Sequence, residues 1–424
     1  RGLAGFDNLN PDVVARLRAW AMQDGEVPGT SGLGVRCHAA SHAWTTRVEA
    51  LQFREQEIQK SLVELDQRAE SPAATDSDKV DRRTAHAALR LTRDQLASLR
   101  SEYWVSVLEE FGLFPNYTLL DDSVSLEVAV SWMDPDTQTY QYEPLVLERG
   151  SAQALKDFAP GATFYASGYA IEIDAIELGR DNAAVRTWAC CPACGYVLDV
   201  GETGTTASVP ACPRCDDQAI ADVDQRLQVV ELRSVSAAVR REEAAIDDRR
   251  DERVREGFTV LTLADVDPSH VTRQWYVDGY GFGAKHLRDL SIRWLNLGRS
   301  AGRGTTHEIA GSIVDAPLFR VCTSCGKLDT STGANSSAEH RPWCPQRKAT
   351  TEKTASIALA RSLRTEGLVM RLPTAVTVGD GFSLPSLSAA VLLALRQRLG
   401  GSPDHIEITS IVLDQADPQT GRPL

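Results

Sequence analysis

The sequence lacks the long apolar segments of membrane and secreted proteins. Its longest uninterrupted apolar run, residues 389–395, is far shorter than the ~20 residues that a membrane-spanning helix needs. The first residues carry no apolar core of a signal peptide. They also contain no initiator Met, which favours a piece of a longer chain. We therefore expect no membrane partner and a cytoplasmic location.

The motifs of common self-sufficient enzymes are also missing. The sequence has no G-x-x-x-x-G-K-[ST] phosphate-binding loop, no H-E-x-x-H metal-binding helix and no G-x-S-x-G nucleophile turn. Acidic runs such as residues 121–122 and 242–253 are more typical of solvated surfaces than of acid–base pairs. No active site is therefore predicted in this chain, and whether the whole protein is an enzyme stays open.

A broad excess of basic residues is absent as well. Lys and Arg number 45 against 58 Asp and Glu, which gives a net charge of −13. Proteins that bind nucleic acid over a wide surface usually present a basic face. Any contact with DNA or RNA is therefore expected to be weak and local.

Cysteine is scarce, but the nine cysteines are clustered. Cys191 and Cys194 form one C-x-x-C pair, and Cys212 and Cys215 form another. Two thiolates separated by two residues can bind the same Zn²⁺ ion, and a second pair completes the tetrahedron. This spacing predicts a zinc ribbon, with Cys190 as an alternative to its neighbour as the first ligand. The clustering favours metal binding over disulfides, and hence a reducing compartment.

A second cluster begins with another C-x-x-C pair, Cys322 and Cys325. His340 and Cys344 follow with H-x3-C spacing, so the four residues form a possible ligand set. The alternative is a three-cysteine site beside an unrelated loop histidine. Four protein ligands leave no open position on the metal, so we expect two structural Zn²⁺ ions rather than catalytic ones.

The apolar spacing predicts an α+β fold. Apolar residues three and four apart on both sides of a polar turn predict an antiparallel helical hairpin. From residue 116 the period changes to two, which predicts antiparallel strands. The predicted units are a linker tail at 1–45, the helical hairpin at 46–115, a small β module at 116–187, a zinc ribbon at 188–220 and a mixed α+β zinc-binding domain at 221–424.

Four elements are predicted near the end of the sequence. The patterns indicate helices at residues 349–367 and 385–399, and strands at 368–376 and 405–413. The second helix is apolar on most sides, and such a helix is normally buried. We therefore expect residues 385–399 to lie in a hydrophobic core.

Several segments resemble a known family. They are similar to the region that follows the ATPase core in large bacterial DEAD/DEAH-box helicases, including that family's zinc-binding C-terminal domain, called the MZB domain. The resemblance covers about residues 100–424 and includes both cysteine clusters. The similar segments are residues 110–128, 147–176, 188–196, 322–344, 356–373 and 383–408.

The resemblance implies a non-catalytic region of an ATP-dependent superfamily 2 helicase or translocase. Relatives act in DNA repair and in anti-phage defence systems such as DISARM. The partners implied are DNA or RNA, upstream motor domains and other defence or repair proteins. This chain departs from the family because it lacks the motor motifs, so ATP and Mg²⁺ would bind only in the motor domains.

Basic and aromatic residues gather beside the second cysteine cluster. Phosphate contacts combined with aromatic stacking would suit nucleic acid there, although the same side chains can simply surround a structural metal. The sequence thus favours a nucleic-acid guiding role, with a zinc-stabilised protein-interaction scaffold as the alternative. The candidate contact residues are Arg341, Trp343, Arg347 and Lys348.

Overall fold

The computed structural model has a mixed α+β fold, as predicted. Its chain divides into two compact units, residues 1–120 and 121–424. Among the described residues, no helix has the length and apolar character required to cross a membrane. The described residues are 10–22, 32–111, 113, 123–137, 139–200, 210–246, 257–266, 268–300, 304–330, 339–349, 353–372, 383–399 and 408.

The first unit contains the predicted helical hairpin. The hairpin consists of α2 (Gly32–Glu70) and α3 (Asp76–Ser101), and α2 begins earlier than the predicted residue 46. Thr75 starts α3 with a capping box, because its hydroxyl accepts from the Asp78 amide while the Asp78 carboxylate accepts from the Thr75 amide. The helices are α1 (Pro11–Met22), α2 (Gly32–Glu70), α3 (Asp76–Ser101) and α4 (Trp104–Glu110).

One apolar stripe on each long helix holds the hairpin together. Between the helices, the Arg93 guanidinium lies 2.8 Å from the Glu55 carboxylate, so the polar break in the α2 stripe has a partner on α3. Apolar residues spaced three and four apart on a helix share one face, which explains why this stripe packs inward. The buried residues include Leu51, Ile58, Leu62, Leu65 and Ala69 of α2 and Ala85, Leu89 and Leu96 of α3.

The second unit begins with two hairpins and the short helix predicted between them. In the second hairpin, Ser167 and Gly168 have positive φ, as a two-residue type I′ turn requires. Both hairpins pair in the antiparallel register that the period-two pattern predicts. The elements are β1 (Ser123–Met133), β2 (Tyr140–Gly150), α5 (Ser151–Asp157), β3 (Thr163–Ala166), β4 (Tyr169–Glu172) and β5 (Ala175–Ile176).

The rest of the second unit is dominated by one large sheet. The elements of this part are β6 (Val185–Cys190), β7 (Val197–Asp199), β8 (Arg226–Glu231), β9 (Ser234–Arg240), α6 (Arg241–Ala244), β10 (Phe258–Asp265), β11 (Val271–Val277), β12 (Phe282–Arg299), β13 (Thr305–Ile309), β14 (Ser312–Ala316), β15 (Phe319–Cys322), β16 (Thr354–Arg371) and α7 (Ser383–Leu399). The strand order of the large sheet is β10-β12-β16-β8-β6-β7, with β11 also paired to β12 and β15 to β16.

Two parallel pairings connect distant parts of this unit. Strand β1 pairs in parallel with β9, and β8 pairs in parallel with β16. The main hydrophobic core accordingly mixes residues from both ends of the unit. Segments predicted to form a β module and a C-terminal domain therefore share one core, which includes Leu126, Phe158, Ile171, Trp294 and Leu359.

The helix predicted at residues 349–367 is wrong. Residues 354–371 form β16 instead, which pairs with β12, β15 and β8. Residues 357–360 are completely buried in the sheet. Burial between neighbouring strands has overridden the helical propensity of the alanine, leucine and arginine residues in this segment.

The helix predicted at residues 385–399 is present as α7, but its predicted burial is wrong. Its side chains with an assigned burial are exposed or half-buried, and Leu393 is 56% exposed. An apolar pattern indicates which residues can be buried, whereas a packing partner decides whether they are. The strand predicted at residues 405–413 lies outside the described residues, except for position 408.

Candidate metal centres

The first candidate metal centre lies at the end of the β6–β7 hairpin. Cys191 follows β6 directly, and Cys194 lies in the turn that leads into β7. Cys212 and Cys215 come from the segment that precedes β8. The Sγ atoms of Cys191 and Cys215 are 3.5 Å apart, and those of Cys194 and Cys212 are 3.6 Å apart. The hairpin and the segment after it therefore contribute two ligands each.

The three C-x-x-C turns have the same backbone hydrogen bonds. In the first turn, the Gly195 amide donates to the Cys191 carbonyl at 3.0 Å, and the Cys191 amide donates to the Tyr196 carbonyl at 2.9 Å. Both bonds recur in the turns that begin at Cys212 and Cys322, at 2.8 to 2.9 Å. The residue that closes each turn has a positive φ; these residues are Gly195, Asp216 and Gly326.

The second candidate centre lies at the end of β15. Cys322 ends that strand, and its Sγ is 3.7 Å from the Sγ of Cys344. The His340 Nδ1 is 3.6 Å from the same Cys344 sulfur. The other ring nitrogen of His340 is buried and has no hydrogen-bond partner within the described chain. The imidazole therefore directs Nδ1 toward the sulfur of Cys344, which is the orientation that ligation through Nδ1 would require.

The spacing of the ligand atoms fits a tetrahedral metal ion. Metal–sulfur bonds of about 2.3 Å at tetrahedral angles place two sulfurs about 3.8 Å apart. The closest sulfur pairs lie 3.5, 3.6 and 3.7 Å apart. All four ligand atoms of each centre lie within 4.8 Å of one another, and no other such group occurs in the described ranges. Each centre can therefore hold one metal ion.

Hydrogen bonding within each centre favours a thiolate. A hydrogen bond from Cys194 lowers the pKa of Cys191 to about 5. In the second centre, a hydrogen bond from Cys325 lowers the pKa of Cys322, whereas a hydrogen bond to Cys322 raises the pKa of Cys344. The thiolate is the form that binds metal, so one cysteine of each centre favours the binding form, and the thiols with a raised pKa would release their protons when metal binds.

Cys190 does not belong to the first centre. Its side chain is fully buried in a hydrophobic cluster with Trp188 and Val197, away from the ligand group. Burial raises the pKa of its thiol to about 12, so it is protonated at neutral pH. The choice between Cys190 and Cys191 that the sequence left open is therefore resolved in favour of Cys191.

Two of the four residues predicted to contact nucleic acid, Arg341 and Trp343, are buried. The Arg341 guanidinium donates to the Asp174 carboxylate at 2.6 Å and to the Ser236 hydroxyl at 3.0 Å. Trp343 is also buried, with the Arg341 guanidinium 5.9 Å from its ring centroid. These contacts connect the second centre to β9. The other two predicted residues are exposed; they are Arg347 and Lys348.

The fold and the two ligand sets define the class of site: two four-ligand centres, one of four cysteines and one of three cysteines and a histidine, in one α+β unit. Comparisons with protein-family models, with curated proteins and with solved structures found no match for the chain.

We expect the Gly326→Ala variant to lose much of the stability of the second centre. Gly326 has a φ of +65°, and an added Cβ would lie 1.9 Å from the carbonyl oxygen of Ile176. The Ile176 amide also donates to the Gly326 carbonyl at 3.0 Å, so the turn cannot move away without losing this bond. Denaturant unfolding measures the loss in the free energy of unfolding.

Gly168→Ala is the matched control. Gly168 has a similar φ of +79°, but nothing lies within 4 Å of its added Cβ. Its replacement should cost only the roughly 1–2 kcal/mol of a left-handed backbone conformation. Equal losses in the two variants would mean that the contact with Ile176 does not constrain the turn.

Proposed function

We propose that both centres bind Zn²⁺ and that the ions are structural. Thiolate ligands select soft or borderline metals, and tetrahedral sets of four thiolates or of three thiolates and an imidazole suit zinc. Four protein ligands fill the coordination sphere, so neither ion retains a position for water or substrate. The ions therefore stabilise the second unit and do not take part in a reaction.

The chain itself is, in this proposal, a non-catalytic accessory region of an ATP-dependent DNA or RNA helicase or translocase that acts in DNA repair or phage defence. The observation that carries the proposal is the pair of closed four-ligand centres within one α+β unit. Their spacing is the most specific part of the resemblance to the DEAD/DEAH-box helicases. Motor domains would supply ATP hydrolysis, and this region would guide the nucleic acid.

The purified chain is expected to hydrolyse no ATP, with or without nucleic acid. Phosphoryl transfer requires groups that hold the phosphates and Mg²⁺, and the sequence has no phosphate-binding loop for this purpose. A phosphate-release assay measures this directly. Release stimulated by single-stranded nucleic acid would contradict a non-catalytic role.

The gene supplies a second test of the motor assignment. The proposal requires a G-x-x-x-x-G-K-[ST] loop and a D-E-x-[DH] box in the same reading frame or in an adjacent one. A gene and its neighbours without either motif would overturn the assignment to a helicase. The zinc assignment would be unaffected, because it depends only on the ligands in this chain.

The second candidate function is a protein-interaction scaffold. The observation in its favour is the 39-residue helix α2, which exposes Phe53 and Val63 outside its buried stripe. A salt titration separates the two functions. Phosphate contacts give a negative slope of log affinity against log salt concentration, whereas a scaffold has no affinity for nucleic acid to titrate.

A further inference from the structure

Three strands form an exposed ribbon at one end of the large sheet. We call residues 271–289 and 361–371 the distal ribbon; they comprise β11, the first part of β12 and the last part of β16. All residues of β11 after Val271 are exposed, as are most residues of β16 after Arg361. The distal ribbon thus presents side chains to solvent over much of its length.

The charge of the distal ribbon differs from that of the whole chain. It contains six Lys and Arg residues against three Asp and Glu, whereas the chain has an excess of acidic residues. One of the acidic residues, Asp289, is paired with Arg364. No ion pair among the described residues involves Arg273, Lys285 or Arg371. The distal ribbon is therefore a local basic surface on an acidic chain.

The strand register separates the side chains of the distal ribbon into two faces. Tyr276, Gly283 and Arg371 are directly opposite one another on the three strands, so they share a face, and Lys285 lies two residues from Gly283 on that face. The opposite face carries mainly apolar side chains, which are Trp275, Val277, Phe282, Leu368 and Met370.

Tyr276 forms an aromatic platform on the first of these faces. An added Cβ at Gly283 would lie 2.2 Å from Tyr276 Cδ1, so the tyrosine ring lies directly over this glycine. The ring packs against the sheet on one side, and the residue remains 50% exposed. Lys285 and Arg371 flank the platform, so one face combines a surface for stacking with two cations.

We infer that this face binds single-stranded nucleic acid, with a base stacked on Tyr276 and the backbone phosphates contacted by Lys285 and Arg371. Every base has a π face, so stacking combined with cations gives binding that tolerates different sequences. The opposite face presents mainly apolar side chains beside Trp275, and its Arg364 is paired with Asp289, so it is less suited to a polyanion. The inference depends on the proposed nucleic-acid role and locates that role away from the second metal centre.

The test measures the fluorescence anisotropy of labelled oligo(dT) and oligo(rU) with the whole chain. Tyr276→Leu keeps an apolar cover over Gly283 but removes the π face, and it should weaken binding about fivefold or more. Replacing both Lys285 and Arg371 by alanine should weaken binding further. It should also reduce the salt slope by about 0.7 for each lost phosphate contact. The affinities for the two oligonucleotides show whether the face prefers DNA or RNA.

Two control variants locate the surface. Trp275→Leu changes the neighbouring aromatic residue on the opposite face, and replacing Arg347 and Lys348 by alanine removes the exposed cations near the second centre. Both should bind as the wild-type chain does. Circular dichroism and metal content should be unchanged in all variants, which separates lost binding from lost folding.

The possible outcomes distinguish the inference from the function on which it depends. Wild-type binding that survives the Tyr276 and Lys285/Arg371 changes, or that the Arg347/Lys348 change abolishes, overturns the inference and leaves the proposed function standing. No wild-type binding to either oligonucleotide overturns both. The same face of the distal ribbon could instead bind a second copy of the chain, and light scattering detects such a dimer. A dimer that Tyr276→Leu disrupts, without binding of nucleic acid, also overturns the inference.

Discussion

Replacing His340 by alanine is expected to lower the bound metal from two ions per chain to one. Cys322 and Cys325 are held together by their turn, but residues 326–339 must close as a loop before His340 and Cys344 reach the metal. The entropic cost of this closure has to be offset by metal–ligand bonding. Small structural zinc sites bind with apparent free energies of about 10–16 kcal/mol, so one lost ligand should weaken the centre severely. Plasma mass spectrometry gives the metal content.

His38→Ala is the control for this variant, because His38 is an exposed residue of α2 in the other unit. His307 would be a poor control. It is buried, and its Nδ1 lies 3.0 Å from the carbonyl oxygen of Asp224, so its replacement should disturb the fold. If the His340→Ala chain keeps two ions and its usual resistance to a chelator, the fourth ligand of the second centre has been assigned wrongly.

Arg341→Met is expected to lower the free energy of unfolding of the second unit by about 3 kcal/mol. Arg341 is 5% exposed and donates to both Asp174 and Ser236. Methionine fills much of the same volume, but it leaves the Asp174 carboxylate without its cation. The unpaired charge accounts for most of the expected loss. Denaturant unfolding followed by circular dichroism provides the measurement.

Arg347→Ala is the matched control, since Arg347 is an exposed arginine close to the same centre. Its replacement should change the free energy of unfolding by no more than about 0.5 kcal/mol. Adding Asp174→Leu to Arg341→Met should restore part of the loss, because both members of the pair are then gone. A larger loss from Arg347→Ala than from Arg341→Met would mean that the pair of Arg341 and Asp174 does not anchor the second centre.

The parts of the structure that depend on neighbours in sequence were predictable. Each C-x-x-C turn is local, so the sequence indicates the ligand pairs, and the glycines that close two of the turns have the positive φ that the turns require. The helical hairpin and the β3–β4 hairpin are also local. Their apolar spacing and turn residues identify them without knowledge of the rest of the fold.

The parts that depend on distant partners were not predictable. Strand β16 has a composition that suits a helix, and its conformation is set by pairing with β8, β12 and β15. The burial of Arg341 follows from Asp174, which lies 167 positions away in sequence. The sequence therefore indicates that basic residues accompany the second centre but not whether they reach solvent.

Part of the distal ribbon has a local signal in the sequence. The stretch 273–282 has aromatic residues on both sides of an Asp-Gly dipeptide, a composition typical of a β-hairpin. The position of this hairpin near β16 is not predictable from the sequence. Arg371 and Tyr276 are far apart in sequence, and they lie on either side of Gly283 in the sheet. The sequence alone can indicate the aromatic hairpin, whereas the cations beside it require the sheet.

X-ray absorption at the zinc edge tests the central claim, two structural zinc ions with four protein ligands each, most directly. The two centres together offer seven cysteine sulfurs and one histidine nitrogen. The account predicts two zinc ions per chain, zinc–sulfur distances of about 2.3 Å, a minor contribution from nitrogen at about 2.0 Å and no water ligand. A spectrum with oxygen ligands, or a chain that binds fewer than two zinc ions, would contradict it.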